Sequence, residues 1–441
     1  MIRGALLAAC LGVAAGPALA DGPALIDGGN RFGQVRYYAP PAGDAVAGLI
    51  AMISDSRGWD AGSDALARHM AGEGQAVLGI DLPSYVAVLR QDKGDCSWIN
   101  ADFEWLTRKV EKTLPFREFH PPAIVGLGAG AGAAYAATAE VLPNTFSAGI
   151  GLGFSPVFDI GRKLCVPAAA DRTTPWLFTA AADFGAPGAI RAFLAAMTQA
   201  HFVDAKGGSA EQADAALRLL PMLAPSVPLE GLPVVEVAPK DPASAARHPV
   251  AIFYSGDGGW RDIDKQIGSY LADQGFLVVG FDCLRYFWRP KQPDEMAADL
   301  DRVIRHYEAR SAGHGAILVG YSFGADVLPF IVNRMAPDTR GQVKLISLLG
   351  VSEHASFEIR LDGILGAANT NGPPTLPELA KVGDIPIQCV YGFDESDTAC
   401  TAKALDKIVE RVEMSGGHHF NGDYHDVADA IITAAKGKVG E

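Results

Sequence analysis

The chain has 441 residues, 49% of them apolar and 20% charged, with a net charge of −14. That length exceeds one ordinary domain and the composition can fill large cores, so two globular domains are expected. The acidity, and the lack of any Lys/Arg run, exclude nucleic-acid binding by phosphate neutralisation.

Residues 1–20, MIRGALLAACLGVAAGPALA, read as an export leader. Arg3 is the positive region, Ala5 to Ala15 the apolar core, and Ala18-Leu19-Ala20 the small-x-small cleavage site before Asp21. Gly12, Gly16 and Pro17 shorten the apolar run below the roughly 18 residues that a membrane span needs. Leu7-Ala8-Ala9-Cys10 has the letters of a lipoprotein box, but too little apolar segment precedes Cys10. The mature protein is expected to be secreted into an oxidising compartment.

Beyond the leader the chain repeats itself. Each half opens with an extended segment ending in Ala-Pro, at 39–40 and 238–239. An apolar strand follows in each, Gly48–Ile53 and Val250–Tyr254, then a Gly-Trp loop, a helix, and a strand ending in Asp. AGEGQAVLGID (71–81) matches ADQGFLVVGFD (272–282), and Gly58-Trp59 matches Gly259-Trp260, both 201 positions on. The expected division is a leader at 1–20, a first copy at 21–227 and a second at 228–441, with Pro221, Pro225, Pro228 and Pro233 clustered at the junction. Alternating strands and helices predict a mostly parallel doubly wound α/β sheet in each copy.

In the first copy, the apolar run Ala123-Ile124-Val125 leads into GLGAGAG, 126–132. Gly126, Gly128 and Ala131 fit a dinucleotide fingerprint, yet residues 141–157 hold no acid for the ribose. Aligned with the second copy, this loop lies over Gly320-Tyr321-Ser322-Phe323-Gly324, a G-x-S-x-G with glycine in place of serine. The first copy keeps Asp183 after a strand and His201-Phe202, but no nucleophile.

In the second copy the pentapeptide has the context of a nucleophile elbow. Ala316–Val319 predict a short buried strand before it. Leu300, Val303, Ile304 and Tyr307 predict an amphipathic helix starting near Asp294, just after Pro293. Ser322 is therefore the expected nucleophile, with the acid and the base following in that order. The strand Ile385–Tyr391 ends in GFDESD. Asp397 is the first choice of acid, because Asp-x-x-Cys leaves room for a turn locked by Cys400; Glu395, three residues after Gly392, is the alternate. After the strand Ile408–Met414 comes SGGHHF, where His419, with Phe420 behind it, is the first choice of base and His418 the alternate.

The oxyanion hole needs two backbone donors. Phe323, after the nucleophile, supplies one, and Gly256 or Asp257 of SGDGGW (255–260) the other. Asp257, Asp326 and Trp260 are the expected substrate contacts, the two carboxylates being placed for a cationic group. His418, His419, Asp423 and His425 are rich in potential ligands but include no H-x-x-x-H pair, so neither a metal nor another cofactor is expected. Among the cysteines, Cys389 is expected to pair with Cys400 and Cys96 with Cys165, leaving Cys283 as a buried thiol.

Taken together, SGDGGW (255–260), GYSFGAD (320–326), CVYGFDESDTAC (389–400) and GGHHFNGDY (416–424) resemble the VirJ/AcvB bacterial virulence proteins, and the doubled layout resembles the longer AcvB form. The resemblance implies a periplasmic α/β-hydrolase. AcvB-like members are associated with hydrolysis of lysyl-phosphatidylglycerol, and VirJ-like members with type IV secretion. It places the triad on Ser322, Asp397 or Glu395, and His418 or His419. The implied partners are a membrane phospholipid substrate and secretion-system components, and the oligomeric state is left open.

Overall fold

The computed structural model describes residues 23–41, 46–113, 116, 119–154, 158–167, 170–180, 199–205, 207–223, 228–360 and 372–436. The leader and Asp183 lie outside these residues.

The first half contributes β1 (Ala24–Asp27), β2 (Gln34–Tyr38), β3 (Gly48–Ile53), β4 (Gln75–Ile80), β5 (Cys96–Ser97), β6 (Ala123–Leu127), β7 (Ala148–Phe154), β8 (Lys163–Leu164), β9 (Trp176–Ala180) and β10 (Ala200–Phe202). The second contributes β11 (Val234–Val237), β12 (Val250–Tyr254), β13 (Val278–Phe281), β14 (Ala316–Tyr321), β15 (Val343–Leu349), β16 (Ile387–Gly392) and β17 (Val409–Met414). One sheet runs β1-β2-β4-β3-β6-β7-β9-β10 and the other β11-β13-β12-β14-β15-β16-β17. Without β1 the two orders are the same connectivity. In each sheet the strands from the β3–β4 or β12–β13 pair onward are parallel, and only the leading edge is antiparallel. This is the α/β-hydrolase arrangement, twice, and it agrees with the fold read from the alternating pattern.

The central strands are apolar on both faces because helices cover both. Every residue of β12 and β14 is buried. Helices Ile263–Asp273 and Tyr424–Lys436 pack Ile267, Leu271, Val427 and Ile431 on one face. Helices Pro293–Tyr307, Phe323–Val332 and Thr375–Val382 pack Leu300, Ile304, Leu328 and Leu379 on the other. Pro293 sits in the first turn of its helix, where its missing N–H costs nothing. No helix among the described residues is long and apolar enough to cross a membrane.

The repeated Gly and Trp letters form one packing unit. A Cβ on Gly79 would lie 2.5 Å from the Trp59 ring, and a Cβ on Gly280 2.5 Å from the Trp260 ring. Trp260 is only 2% exposed and meets Phe253 edge-on. It is a core residue, so its expected role as a substrate contact is corrected: the glycine opposite draws the indole into the sheet face.

Candidate active site

The C-terminal ends of β12, β14, β15, β16 and β17 line up along one edge of the second sheet, Tyr254 beside Gly320, Tyr321 beside Leu349, Leu349 beside Val390 and Gly392 beside Met414. The loops leaving these ends carry the chemistry, as in other open parallel sheets.

Ser322 joins β14 to the helix Phe323–Val332 at φ 51°, ψ −117°, a left-handed conformation that costs a non-glycine residue about 1–3 kcal/mol. The turn is this tight because the helix start is pressed against two strand ends. A Cβ on Gly324 would come within 2.2 Å of the Tyr254 carbonyl, and one on Gly320 within 2.6 Å of the Gly324 carbonyl.

Ser322 Oγ lies 2.8 Å from His418 Nε2, and His418 Nδ1 lies 2.5 Å from Glu395 Oε1. Glu395 follows a turn in which its own N–H donates to Gly392 O and its Oε2 accepts from Gly392 N. That turn folds the carboxylate inward, leaving its side chain 4% exposed. The histidine loop is zipped to the acid loop by Phe393 N to Met414 O and Asp394 N to Gly416 O. Burial lowers the pKa of His418, but the hydrogen bond and charge of Glu395, with Asp397 and Asp257 behind them, outweigh it and hold the imidazole above its ordinary value.

Both alternates, rather than both first choices, thus complete the line from Ser322. Asp397 is exposed beyond the turn and acts on His418 only through its charge. His419 is exposed, with Nδ1 3.4 Å from Tyr321 Oη. The turn continues through Phe420 and Asn421, which take positive φ, 48° and 52°. Phe420 is buried beneath them. The pattern gave no sign of Gly350, at φ +62° after β15. A Cβ there would lie 2.8 Å from His418 Cε1 and 3.2 Å from Glu395 Oε1, so only glycine leaves room for the pair.

Of the oxyanion donors, Gly256 is withdrawn, because its N–H donates to Asp264 Oδ1 at 3.2 Å. Asp264 is buried, and burial pushes its carboxyl well up. The N–H groups of Phe323 and Asp257 have no protein acceptor among the described residues. Gly256 itself borders the nucleophile; a Cβ on it would lie 3.9 Å from Ser322 Cβ. Ser255 holds the loop, with Oγ accepting from Cys283 N and donating to Gly256 O.

Asp326 does not face an open site. It is buried, its Oδ1 accepts from Ser352 N at 2.7 Å, and burial pushes its carboxyl well up. Its expected substrate role is therefore corrected to support of the 350–352 turn. Asp257 is half-buried, close enough for its charge to act on His418. Cys389–Cys400 and Cys96–Cys165 are disulfides, and Cys283 is a buried free thiol. His425 stacks on Tyr270, and no group of three acidic, His or Cys side chains among the described residues is placed to hold a metal.

Residues 248–439 match the family model described as bacterial virulence protein (VirJ). The match covers most of the second half, which is similar to VirJ over those residues. Solved structures similar to the chain include Est1E from Butyrivibrio proteoclasticus, at 12% identity over 47% of this chain and 97% of that one, TM-score 0.34. MenH from S. aureus aligns at 12% identity, 47% and 99% coverage, TM-score 0.36. The thioesterase domain from the curacin biosynthetic pathway aligns at 16% identity, 47% and 97% coverage, TM-score 0.32. No curated protein matches.

The first half carries the same elbow without its chemistry. Gly128 has φ 53°, ψ −113°, and the helix Ala129–Thr138 follows it. Asp55, which aligns with Gly256 of the second half, lies against the turn: its Oδ1 accepts from Ala129 N, the counterpart of Phe323 N, at 3.0 Å and lies 2.7 Å from where a Cβ on Gly128 would sit. His201 lies within β10, whereas His418 lies four residues past the end of β17.

Proposed function

We propose that this protein is a serine carboxylic-ester hydrolase acting through Ser322, His418 and Glu395. The observation that carries the reading is the hydrogen-bonded line from Ser322 Oγ through both ring nitrogens of His418 to Glu395. His418 takes the Ser322 proton as Oγ attacks the ester carbonyl. The oxyanion is received by the N–H groups of Phe323 and Asp257. His418 then returns the proton to the leaving alcohol, and a water activated by the same imidazole hydrolyses the acyl-enzyme. Glu395 fixes the tautomer and stabilises the imidazolium.

For the substrate we propose the aminoacyl ester of lysyl-phosphatidylglycerol, cleaved to phosphatidylglycerol and lysine in the periplasm. Three features support this: the four-motif resemblance to AcvB-like proteins, two disulfides that suit an oxidising compartment, and the Asp257 carboxylate beside the site, which suits an ammonium. The test is lysine release from lysyl-phosphatidylglycerol vesicles by purified protein and by its Ser322→Ala variant. Release abolished by the substitution supports the proposal. Labelling of Ser322 by a fluorophosphonate without lysine release rejects this lipid but keeps an ester hydrolase. Neither labelling nor release favours a non-enzymatic role in assisting type IV secretion.

A further inference from the structure

The loop that carries Asp257 is gripped from the other half of the molecule. Trp260 O accepts from Asn144 Nδ2 at 2.9 Å. The next residue, Arg261, donates from Nη1 to Glu104 Oε1 at 2.7 Å and to Thr145 Oγ1 at 3.2 Å. Lys265, in the helix that follows, pairs with Asp171 at 2.8 Å. Glu104 is also bound by Arg108 Nη2 at 2.6 Å, so one carboxylate sits between two guanidiniums, and that of Arg108 is buried. Burial pushes the Glu104 carboxyl up, but Arg108 and Arg261 outweigh it and keep it ionised.

The loop also has little freedom on its own side. Gly259 N donates to Gly256 O, the indole of Trp260 is locked over Gly280, and Asp262 takes φ +52°. A Cβ on Gly258 would lie 3.1 Å from Arg261 Nε, so the guanidinium runs directly under the loop backbone next to Asp257. An oxyanion donor works only when fixed before the reaction, because reorganising it in the transition state forfeits its advantage.

We propose that the first half is a positioning partner of the active site in the second half, with Glu104 and Asn144 holding Arg261 and Trp260 so that the Asp257 N–H faces the oxyanion. The proposal rests on the hydrolase reading above. It assigns work to a half whose own elbow is occupied by Asp55. Glu104, Asn144 and Arg261 are positioning residues and touch no substrate.

The test compares Glu104→Gln and Asn144→Gly with Lys112→Ala in the full chain. Glycine keeps the positive φ of Asn144, 62°, while removing the amide. Lys112 also bridges the halves, to Trp288 O and Glu358, but away from the 255–262 loop in sequence. With p-nitrophenyl butyrate, the first two variants are expected to lose about five- to fiftyfold in kcat with KM within about twofold. Their Ki for butaneboronic acid, which mimics the tetrahedral intermediate, should rise by the same factor as kcat falls. Lys112→Ala should stay within about twofold on all three. Amide exchange in a peptide spanning 255–262 should accelerate in the first two variants and not in the third. Unchanged kcat and exchange in both, or an equal loss in Lys112→Ala, overturns the proposal. If the parent protein cleaves no ester, the hydrolase reading fails, and the exchange measurement alone then upholds or overturns the hold on the loop.

Discussion

Gly128 and Ser322 share one backbone conformation, φ 53°, ψ −113° and φ 51°, ψ −117°, at the same strand-to-helix turn of the two sheets. In one half the conformation is free for glycine; in the other it is imposed on a serine. The strained serine is the one hydrogen-bonded to a histidine. The strain therefore accompanies function at 322 and is absent where the nucleophile is absent, which is the relation expected of an active-site outlier.

Replacing Ser322 by glycine should thus separate stability from activity. Both Ser322→Ala and Ser322→Gly should lose at least about a thousandfold in ester turnover. The glycine variant relieves the positive φ that alanine retains, so it should be the more stable of the two by about 1 kcal/mol. Urea denaturation of both variants checks this. Labelling by a fluorophosphonate at any other serine would remove Ser322 as the nucleophile.

Glu395→Gln should lower the plateau of kcat by about 10²–10⁴-fold, whereas Asp397→Asn should stay within about threefold. The base must be neutral, so activity rises with pH through the His418 pKa, which lies above the ordinary 6.5. Removing the Glu395 charge takes away what raises that pKa, so the acidic limb should move to lower pH. Asp397→Asn should move it slightly in the same direction. Because folding raises this pKa, His418 contributes stability that is fully present below its unfolded value and is lost as pH climbs through its folded one. A larger loss in Asp397→Asn than in Glu395→Gln would restore Asp397 as the acid.

Gly350→Ala should damage the site without touching substrate. The added methyl must fit 2.8 Å from the His418 ring, at a φ of +62°. A loss of about 1–3 kcal/mol in stability is expected from the backbone alone. A tenfold or greater fall in kcat should accompany it, because the imidazole is pushed off the line to Ser322. Thermal unfolding and turnover measured together check both, and full activity in the variant would mean that the ring has room to move.

Much of this was legible in the residues. Apolar runs marked β3, β12 and β14 to within a residue or two, because buried parallel strands have no polar face to obscure them. The doubled Gly-Trp and the glycines flanking each elbow revealed the repeat, because both follow from close packing that leaves no room for a side chain at those glycines. The acid and histidine loops were located, but not the residue within each. The histidine is one position and the acid two positions from the first choice, steps that change which way a turn side chain points, and the positive φ of Phe420 and Asn421, neither of them glycine, leaves no mark in composition. Gly256 failed as a donor because its acceptor, Asp264, lies on the following helix and not in the loop itself.

The two carboxylates first considered for a cationic substrate now part company. Asp326 is buried on the Ser352 N–H with its carboxyl pushed well up, so it offers no exposed charge. Asp257 is half-buried at the site, and its charge is felt by His418 on one side and by Arg108 on the other. The nearby arginine weakens its pull on an ammonium without cancelling it, since charge at a partly exposed site is screened. Asp257→Asn should raise KM for lysyl-phosphatidylglycerol about three- to tenfold while leaving KM for a neutral ester within about twofold. Asp326→Asn should show no such difference; what it loses should be the same for both substrates, through the turn at Ser352. The lipid should also be a poorer substrate once its ε-ammonium is acetylated. Equal KM changes for charged and neutral esters in Asp257→Asn would reject charge recognition by this residue, and the lysyl group would then need another partner.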